Sequence, residues 1–365
     1  MGKNLSFNEF APLSELEWRE RIIAETGTPN LNELASGSAL NINPLHTQRE
    51  SSYLPHYERN EWTIVHPHGI INDEEEDNAS ILKALIGGAN GVYLSIDKDI
   101  NWDKLLTNIE LEYISLFVFC NEAASIKSLE NHISKRYLKD HPAVFYCCKE
   151  SYSGLSKNGV RFSGIDLFPY ETLSPALILG LAIAQCHDML QSGTEPKDIW
   201  YTLPTFGHYF TNIILLRALF QLHHYLLEKN DHNQPPDPFI FVRSSMRNKS
   251  TDDVYDNMIR NTAEGMGAIV GGAQALCIEP HNAVTGKIDN FGYRVARNAQ
   301  LIFQYEAHLN AQLDPASGSY FFENQTRDLA NEAWDAFRAI EQKGGYLQMN
   351  HREEMTTFIK TYKSK

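Results

Sequence analysis

The amino-acid sequence predicts an α/β protein, a (β/α)8 TIM barrel with an N-terminal helical arm and C-terminal helices. Eight short apolar runs alternate with helical stretches, which is the rhythm of parallel strands joined by crossover helices. Most of these runs are continuously apolar, as expected for strands buried on both faces. An open doubly wound sheet is the alternative, and it is weakened because no G-x-G-x-x-G follows a predicted strand.

The predicted elements define three parts of the chain. The predicted strands are 62–66, 91–96, 113–119, 143–148, 160–163, 199–203, 239–242 and 275–278. The predicted helices are 73–87, 123–139, 174–192, 207–228, 251–271, 288–311 and 326–343. We therefore divide the chain into an arm at 1–60, a barrel at 61–312 and a C-terminal helical extension at 313–365.

The arm contains one clear helix signal. Ser14 and Glu17 have the spacing of a capping box, and Gly27 is a suitable helix end after the apolar positions that follow. Residues 28–60 are rich in Asn, Ser, Pro and His and show little periodicity. We interpret them as an irregular segment that wraps a surface.

Composition and charge exclude several classes of function. The chain has 32 basic and 46 acidic residues and a net charge of −14, so nucleic acid is a poor partner. No run of eighteen apolar residues occurs, and the N-terminus lacks the apolar stretch of a secretory signal. Five cysteines, including adjacent Cys147 and Cys148, show no C-x-x-C spacing, which favours reduced thiols in a cytoplasmic protein.

Polar residues follow the predicted strands, where the mouth of such a barrel carries function. They are His66, His68, Asp97, Asn121, Glu122, Lys149, Glu150, Asp166, Thr205, His208, Arg243, Ser244, Ser245, Glu279 and His281. If they converge, they supply the histidines and carboxylates of an acid–base site. They are equally compatible with ordinary hydrated loops, because strand ends have to be solvated.

Other chemical motifs are weak. His66 and His68 offer two imidazoles, but no third ligand has diagnostic spacing, so we predict no metal site. No G-x-S-x-G or Walker loop occurs, which gives little support to a serine hydrolase or a P-loop enzyme. The glycines at 265–272 fit close helix packing at least as well as a phosphate cradle.

One stretch of the sequence is far more specific. Residues 255–284 form a helix–GGxQ–strand unit, followed by YRVARNAQ at 293–300 and DPASGSYF at 314–321. This resembles the C-terminal part of the barrel domain in the methylmalonyl-CoA mutase family, whose catalytic members have S-A-R-I-A-R-N-T-Q and D-P-W-G-G-S-Y-Y there. Weaker matches extend the resemblance to about 60–345, with strong motifs only after 255.

The resemblance implies a function for the family. Its catalytic members perform a radical 1,2-rearrangement of an acyl-CoA, such as methylmalonyl-CoA to succinyl-CoA in propionate metabolism. Adenosylcobalamin supplies the radical, and the barrel encloses the acyl-CoA. A tyrosine and a histidine of the barrel position the substrate, and a histidine in a separate D-x-H-x-x-G domain ligates cobalt.

This sequence departs from the family at those positions. Pro67 stands where the first strand of catalytic members carries its tyrosine, and proline has no hydroxyl to donate a hydrogen bond. Asp166 or Leu167 stands at the histidine position, and an ionised carboxylate cannot donate. Of the family's R-T-H-S-Q, only Arg243 is clearly kept, and no D-x-H-x-x-G occurs before the end at Lys365.

These departures imply a degenerate, non-catalytic small subunit that stabilises a catalytic large subunit in a heterodimer. We expect no cofactor on this chain, with adenosylcobalamin in the partner subunit. Two alternatives stay open: an active barrel that uses a cobalamin-binding domain on a separate chain, or a repurposed acyl-CoA-binding barrel. The isolated chain is also compatible with a homodimer. Candidate mouth or acyl-CoA residues are His66, His68, Asp97, Asp166, Arg243, Ser244, Glu279 and His281.

Two surfaces are candidates for the partner, the arm at 1–60 and the helix at 326–343. For the helix, the competing interpretation is that its apolar face, which includes Trp334, packs on its own barrel, as amphipathic helices mostly do.

Overall fold

A computed structural model describes residues 11, 13–29, 39–40, 42–47, 61–121, 123–136, 143–148, 160–161, 163–232 and 234–362. The strands within these ranges are β1 (Thr63–Ile70), β2 (Gly91–Ile96), β3 (Ser115–Cys120), β4 (Ala143–Cys148), β5 (Val160–Arg161), β6 (Ser163–Asp166), β7 (Ile199–Pro204), β8 (Phe239–Arg243) and β9 (Ala275–Cys277). The α-helices there are α1 (Glu15–Thr26), α2 (Glu74–Ile86), α3 (Trp102–Leu105), α4 (Ala123–Arg136), α5 (Pro175–Gln191), α6 (Tyr209–Lys229), α7 (Asp256–Val270), α8 (Asn290–Tyr305), α9 (Tyr320–Glu341), α10 (Tyr346–His351) and α11 (Met355–Tyr362).

The strands form one parallel sheet that curls into a nearly closed barrel. Within the described residues the sheet has nine strands in the order β5-β4-β3-β2-β1-β9-β8-β7-β6. Only residue 162 separates β5, which pairs with β4, from β6, which pairs with β7. The two ends of the sheet are therefore one split barrel strand, and the predicted (β/α)8 fold is confirmed.

The two sheet ends approach closely where the barrel closes. Trp200 Nε1 donates a hydrogen bond to the Tyr146 carbonyl oxygen at 3.2 Å. A Cβ at Gly164 would lie 2.8 Å from the same oxygen and 2.7 Å from the Trp200 ring, closer than real side chains come. A glycine is therefore required on β6 for the barrel to close here.

Strand side chains alternate between the helices and the barrel interior, as period-two strands require. On β2, Val92 and Leu94 pack outward in a core under the flanking helices, whereas Tyr93 joins the cluster inside the barrel. Strand β1 runs past its predicted end at 66 as far as Ile70, and its register with β2 shifts between Pro67 and Gly69. That bulge adds a residue to the strand and redirects the side chains beyond it.

The C-terminal helices share a core with the barrel. A Cβ at Gly180 of α5 would lie 2.6 Å from Ala336 Cβ of α9, so the two helices nearly touch. The Trp334 ring packs 4.9 Å from the Tyr225 ring of α6, centre to centre, so this part of the helix packs on its own barrel. The boundaries at 60 and 312 stay predictions.

The described part of the arm contains α1 and the short segment 42–47. The predicted capping box is present: the Ser14 backbone N–H donates to Glu17 Oε2 at 2.8 Å. Gly27 ends the helix in the left-handed conformation, with φ 69°. Farther along, Asn324 Nδ2 of α9 lies 3.1 Å from His46 Nδ1. The arm residues other than 11, 13–29, 39–40 and 42–47 lie outside the described ranges. Among the described helices, none combines the length and the hydropathy that a membrane span requires.

Candidate functional site at the barrel mouth

An arginine stacked between two aromatic rings lies at the inner end of the mouth. Arg243 is the last residue of β8 and faces inward, and its side chain is only 8% exposed. Its guanidinium carbon lies 3.9 Å from the centre of the Tyr93 ring and 4.1 Å from that of the Phe168 ring. A planar, weakly hydrated guanidinium is suited to such a position, because it gains cation–π attraction from both rings.

Two carboxyl groups face the same space. Glu279 follows β9, and burial raises its pKa to about 7, while nearby Arg243 opposes that rise. Asp166 ends β6, and its carboxylate accepts a hydrogen bond from the Phe168 backbone N–H at 3.1 Å. Arg243, Glu279 and Asp166 all act electrostatically on the Tyr93 hydroxyl, whose pKa is raised chiefly by burial. The structure thus brings together three of the candidate residues.

The two histidines of the first strand lie on the other side of the barrel wall. The His66 ring packs 4.9 Å from the Tyr293 ring of α8, and burial together with cationic neighbours lowers its pKa to about 3. His68 Nε2 lies 3.1 Å from Asp77 Oδ1 of α2. Pro67, between them, pairs with Tyr93 and faces inward. The position at which the resemblance predicts the family tyrosine therefore points into the barrel, and Pro67 carries no hydroxyl there.

The remaining candidates do not join the cluster around Arg243. Asp97 is exposed beyond β2. The Ser244 backbone N–H continues the sheet by donating to the Cys277 carbonyl oxygen at 2.9 Å. The His281 ring is stacked 5.4 Å from the Tyr255 ring, outside the strands. Glu122, Lys149 and Glu150 lie outside the described residues.

Below the mouth, aromatic rings fill the barrel axis. Phe241 stacks on Phe117 at 4.3 Å between ring centres, and Phe145 stacks on Phe239 at 4.2 Å. The Trp200 ring meets Phe117, Phe119 and Phe145 edge-on, and its side chain is fully buried. Barrel interiors are ordinarily packed with side chains, and here flat rings from facing strands supply that packing.

A buried polar network holds the loops that follow β7 and β8. Glu264 of α7 accepts hydrogen bonds from Lys249 Nζ at 2.7 Å and from Thr205 Oγ1 at 2.5 Å. The Thr205 hydroxyl in turn accepts from the Ser245 backbone N–H at 3.0 Å. The ion pair is almost fully buried, so loss of either partner would leave an uncompensated charge.

Sequence reasoning missed Tyr93, Phe168 and Glu264. Tyr93 could have been predicted, because alternation along β2 places its side chain inside the barrel. The odd-numbered residues of the two neighbouring strands face the same way. Phe168 lies in a turn after β6, and nothing in its local sequence indicates that it covers an arginine. Glu264 lies in the middle of α7, and its partners Thr205 and Lys249 come from two loops elsewhere in the chain.

The arrangement can bind an anionic or planar group at the guanidinium edge, and Glu279 can donate or accept a proton near neutral pH. In the described part of the barrel, the inward positions hold no imidazole. Fold and site together define a (β/α)8-barrel protein with a side-chain-filled axis and an arginine at its mouth.

The comparisons with known proteins identify the family. Residues 180–362 match the family described as methylmalonyl-CoA mutase. The chain belongs to the methylmalonyl-CoA mutase family. It is similar to the methylmalonyl-CoA mutase small subunit of Porphyromonas gingivalis, with 26% identity over 95% of this chain and 66% of that protein. It is also similar to a probable methylmalonyl-CoA mutase small subunit of Mycobacterium bovis, with 31% identity over 47% of this chain and 30% of that protein.

The chain thus spans two thirds or less of these two relatives. Among solved structures, a Yersinia pestis dihydropteroate synthase covers 70% of this chain and 100% of its own, with 15% identity and a TM-score of 0.37. A likeness this distant carries no argument about function.

Proposed function

We propose that this chain is a non-catalytic small-subunit barrel of a methylmalonyl-CoA mutase and that it packs against and stabilises a catalytic large subunit. The complex would convert methylmalonyl-CoA to succinyl-CoA, with the chemistry confined to the large chain. The family membership and the small-subunit names of two relatives support this assignment.

The aromatic filling of the barrel axis is the observation that carries the proposal. A catalytic barrel that encloses an acyl-CoA needs room for it. Here Phe117, Phe241 and Trp200 are fully buried and contact each other on the axis. Admitting a substrate would require these rings to leave their packed positions, which would forfeit several kcal/mol for each large aromatic side chain.

The residues at the mouth support the same conclusion. Pro67 occupies the inward position opposite Tyr93 and offers no donor. Asp166 engages the Phe168 backbone as an acceptor, so it does not replace a donor to an acyl carbonyl. Positioning of a radical substrate is geometrically demanding, and the loss of two such contacts is costly.

Adenosylcobalamin fits the partner better than this chain. The resemblance places the cobalt ligand of the family on a D-x-H-x-x-G histidine outside the barrel, and this sequence contains no such motif. In this proposal the cofactor therefore resides on the large subunit, where it supplies the radical.

Co-purification tests the assignment. The tagged full chain should retain a large mutase chain from its native source in stoichiometric amount, and the complex should unfold at a higher temperature than either chain alone. A tagged Arg217→Met chain, weakened in its own fold, should retain less of the partner. Recovery of this chain without any mutase chain would contradict the proposal.

Arg243 favours one second candidate, an acyl-CoA-binding barrel without turnover. Its guanidinium is held between Tyr93 and Phe168 with Glu279 nearby, and such a group is suited to a carboxylate or phosphate. Titration calorimetry with methylmalonyl-CoA tests this candidate: binding that is lost in Arg243→Met supports it. The small-subunit proposal predicts no measurable heat in either protein.

A further inference from the structure

The outer sides of α7 and α8 form one apolar surface beside the barrel. Tyr255, directly before α7, and Ile259, in its first turn, are 64% and 72% exposed. On α8, Phe291 is exposed, and so are Ile302 and Tyr305, which lie about three and four turns farther along the same side. We call these five residues the α7/α8 face.

The two halves of this face are continuous. The Tyr255 ring stacks on His281 at 5.4 Å between ring centres, and Phe291 meets the other side of that contact, 5.7 Å from the His281 ring. Contiguous exposed apolar surface of this kind marks an interaction site in a folded protein, whereas single exposed apolar residues do not.

A groove runs between the two helices. It has a volume of about 490 Å³, and its lining includes Thr262 of α7 and Phe291, Val295 and Ile302 of α8. Buried Phe303 also lines it and lies close to α7, where a Cβ at Gly265 would be 3.2 Å from its ring. The groove is therefore concave and mostly apolar, a shape that receives apolar side chains of another protein.

The outer sides of α5 and α6 show how such a surface is covered elsewhere on the same barrel. There α9 packs so closely that a Cβ at Gly180 would lie 2.6 Å from Ala336 Cβ, and Trp334 packs on Tyr225. Within the part of the chain that the structure describes, the α7/α8 face has no comparable cover.

The charge beside the groove specifies the partner. Helix α8 carries Arg294 and Arg297 and no acidic residue, on a chain with a net charge of −14. Arg294 lines the groove and lies 5.5 Å from the centre of the Phe291 ring. Burial and the charge of Arg294 lower the pKa of Arg297, and no carboxylate opposes that fall. A basic strip on an acidic protein is complementary to a partner that presents carboxylates around an apolar centre.

The same charges disfavour a second copy of this chain as the occupant. A two-fold contact centred on α8 would bring its arginines opposite the same arginines of the other copy. Like charges that face each other across an interface are costly, and α8 offers no carboxylate to compensate them.

The extent of the face fits a stable interface. Helix α8 has 16 residues. It is therefore about 24 Å long, and packed helices lie about 10 Å apart, so α7 and α8 together present roughly 24 by 20 Å. Ile86 extends this surface beyond α8: it is strongly exposed, and the next residue, Gly87, lies against the Arg297 guanidinium. A standard interface buries about 800 Å² on each partner, and a surface of this extent supplies its centre.

We propose that the α7/α8 face is the docking surface for the catalytic large subunit, which meets it with apolar side chains surrounded by carboxylates. The apolar side chains would fill the groove, and the carboxylates would pair with Arg294 and Arg297. This contact rests on the proposed small-subunit function and gives it a location. It lies on neither of the surfaces considered from the sequence, the arm at 1–60 and the helix at 326–343.

The affinity for the purified large subunit of the same source tests the docking surface. Ile302→Asp and Arg294→Glu should each weaken binding by at least roughly tenfold, because both change the centre of the contact. The matched controls are Tyr113→Asp, at an exposed aromatic residue before β3, and Arg338→Glu on α9. Both should bind within about twofold of the unaltered chain, as residues outside an interface do. Thermal unfolding of each variant alone checks its fold.

Hydroxyl-radical footprinting gives a second readout on the unaltered proteins. Tyr255, Phe291 and Tyr305 are exposed aromatic residues and react readily when free. Each should be oxidised several times more slowly in the complex than in the isolated chain, whereas Tyr113 should react equally in both. This measurement decides the question even where a variant does not fold.

The outcomes separate this contact from the small-subunit function. Large-subunit binding that neither the two variants nor the footprint reveals at this face would overturn the docking surface and leave the small-subunit function standing. Absence of any binding by the unaltered chain would overturn both. A dimer of the isolated chain in light scattering that Ile302→Asp dissociates would show that a second copy occupies the face, and it would also overturn the docking surface.

Discussion

Arg217 Nη2 of α6 donates to Glu323 Oε1 of α9 across 2.9 Å, and both side chains are fully buried. The same guanidinium also pairs with Asp314, in the segment that leads into α9. Glu323 Oε1 further accepts the Gly318 backbone N–H at 3.0 Å. This buried triad joins the barrel to the segment 314–323, which carries one of the motifs shared with the family.

Loss of the guanidinium is therefore expected to be severe. Arg217→Met should lower the free energy of unfolding by about 3–5 kcal/mol, because it leaves two buried carboxylates unpaired. Urea denaturation measures this change. Arg338→Met is the matched control, since Arg338 pairs with Asp335 on the surface, and it should cost less than about 1 kcal/mol. Equal losses in the two variants would show that the triad is not buried as described.

The packed barrel axis makes its own prediction. Phe241→Ala should lower the free energy of unfolding by about 3–5 kcal/mol, because Phe241 is fully buried and stacked on Phe117 at 4.3 Å. Phe210→Ala, at a side chain that is 40% exposed on α6, should cost much less. If Phe241→Ala lowered the free energy of unfolding no more than the Phe210→Ala control does, the barrel axis would be an open, hydrated channel instead of a packed one.

The low pKa of His66 predicts that the free energy of unfolding depends on pH. Its folded pKa of about 3 lies below the unfolded value near 6.5, so below pH 6.5 the unfolded chain binds a proton that the folded chain does not. The contribution is present above pH 6.5 and is lost as the pH falls toward 3. Between pH 7.5 and 5.5 this ring should remove about 1.4 kcal/mol from the free energy of unfolding.

His66→Gln tests that dependence by urea denaturation at both pH values. Between pH 7.5 and 5.5 the free energy of unfolding of the variant should fall by about 1.4 kcal/mol less than that of the unaltered chain. His351→Gln, at an exposed position of α10, serves as the control and should behave like the unaltered chain. The same fall with pH in the His66 variant and the unaltered chain would contradict a buried, neutral His66.

Helix packing at Gly180 gives a fourth prediction. Gly180→Ala should destabilise the fold by about 1–3 kcal/mol, although alanine favours a helix, because the new methyl group would lie 2.6 Å from Ala336 Cβ. Adding Ala336→Gly should restore part of this loss, since the Ala333 carbonyl oxygen at 3.1 Å still restricts the site. A stabilised Gly180→Ala chain in thermal unfolding would show that α5 and α9 lie farther apart.

Local patterns in the sequence were sufficient for most strands and the long helices but not for the short helices α3, α10 and α11 or for the site. Runs such as 91–96 and 143–148 match β2 and β4 because continuous apolar stretches are characteristic of buried parallel strands. The direction of His68 could not be predicted, because it depends on a bulge after Pro67 that only the pairing with β2 reveals. The contact between His187 and Glu341 depends on the packing of α5 against α9, which the spacing of residues in the sequence does not reveal.

Turnover by this chain without a large subunit tests the central claim most directly. The full chain would be incubated with methylmalonyl-CoA, adenosylcobalamin and a separate cobalamin-binding protein of the family, and succinyl-CoA would be measured. A barrel with a filled axis and Pro67 in place of the tyrosine predicts no succinyl-CoA above background, with activity appearing only when a catalytic large subunit is added. Succinyl-CoA formed in the absence of that subunit would contradict the account.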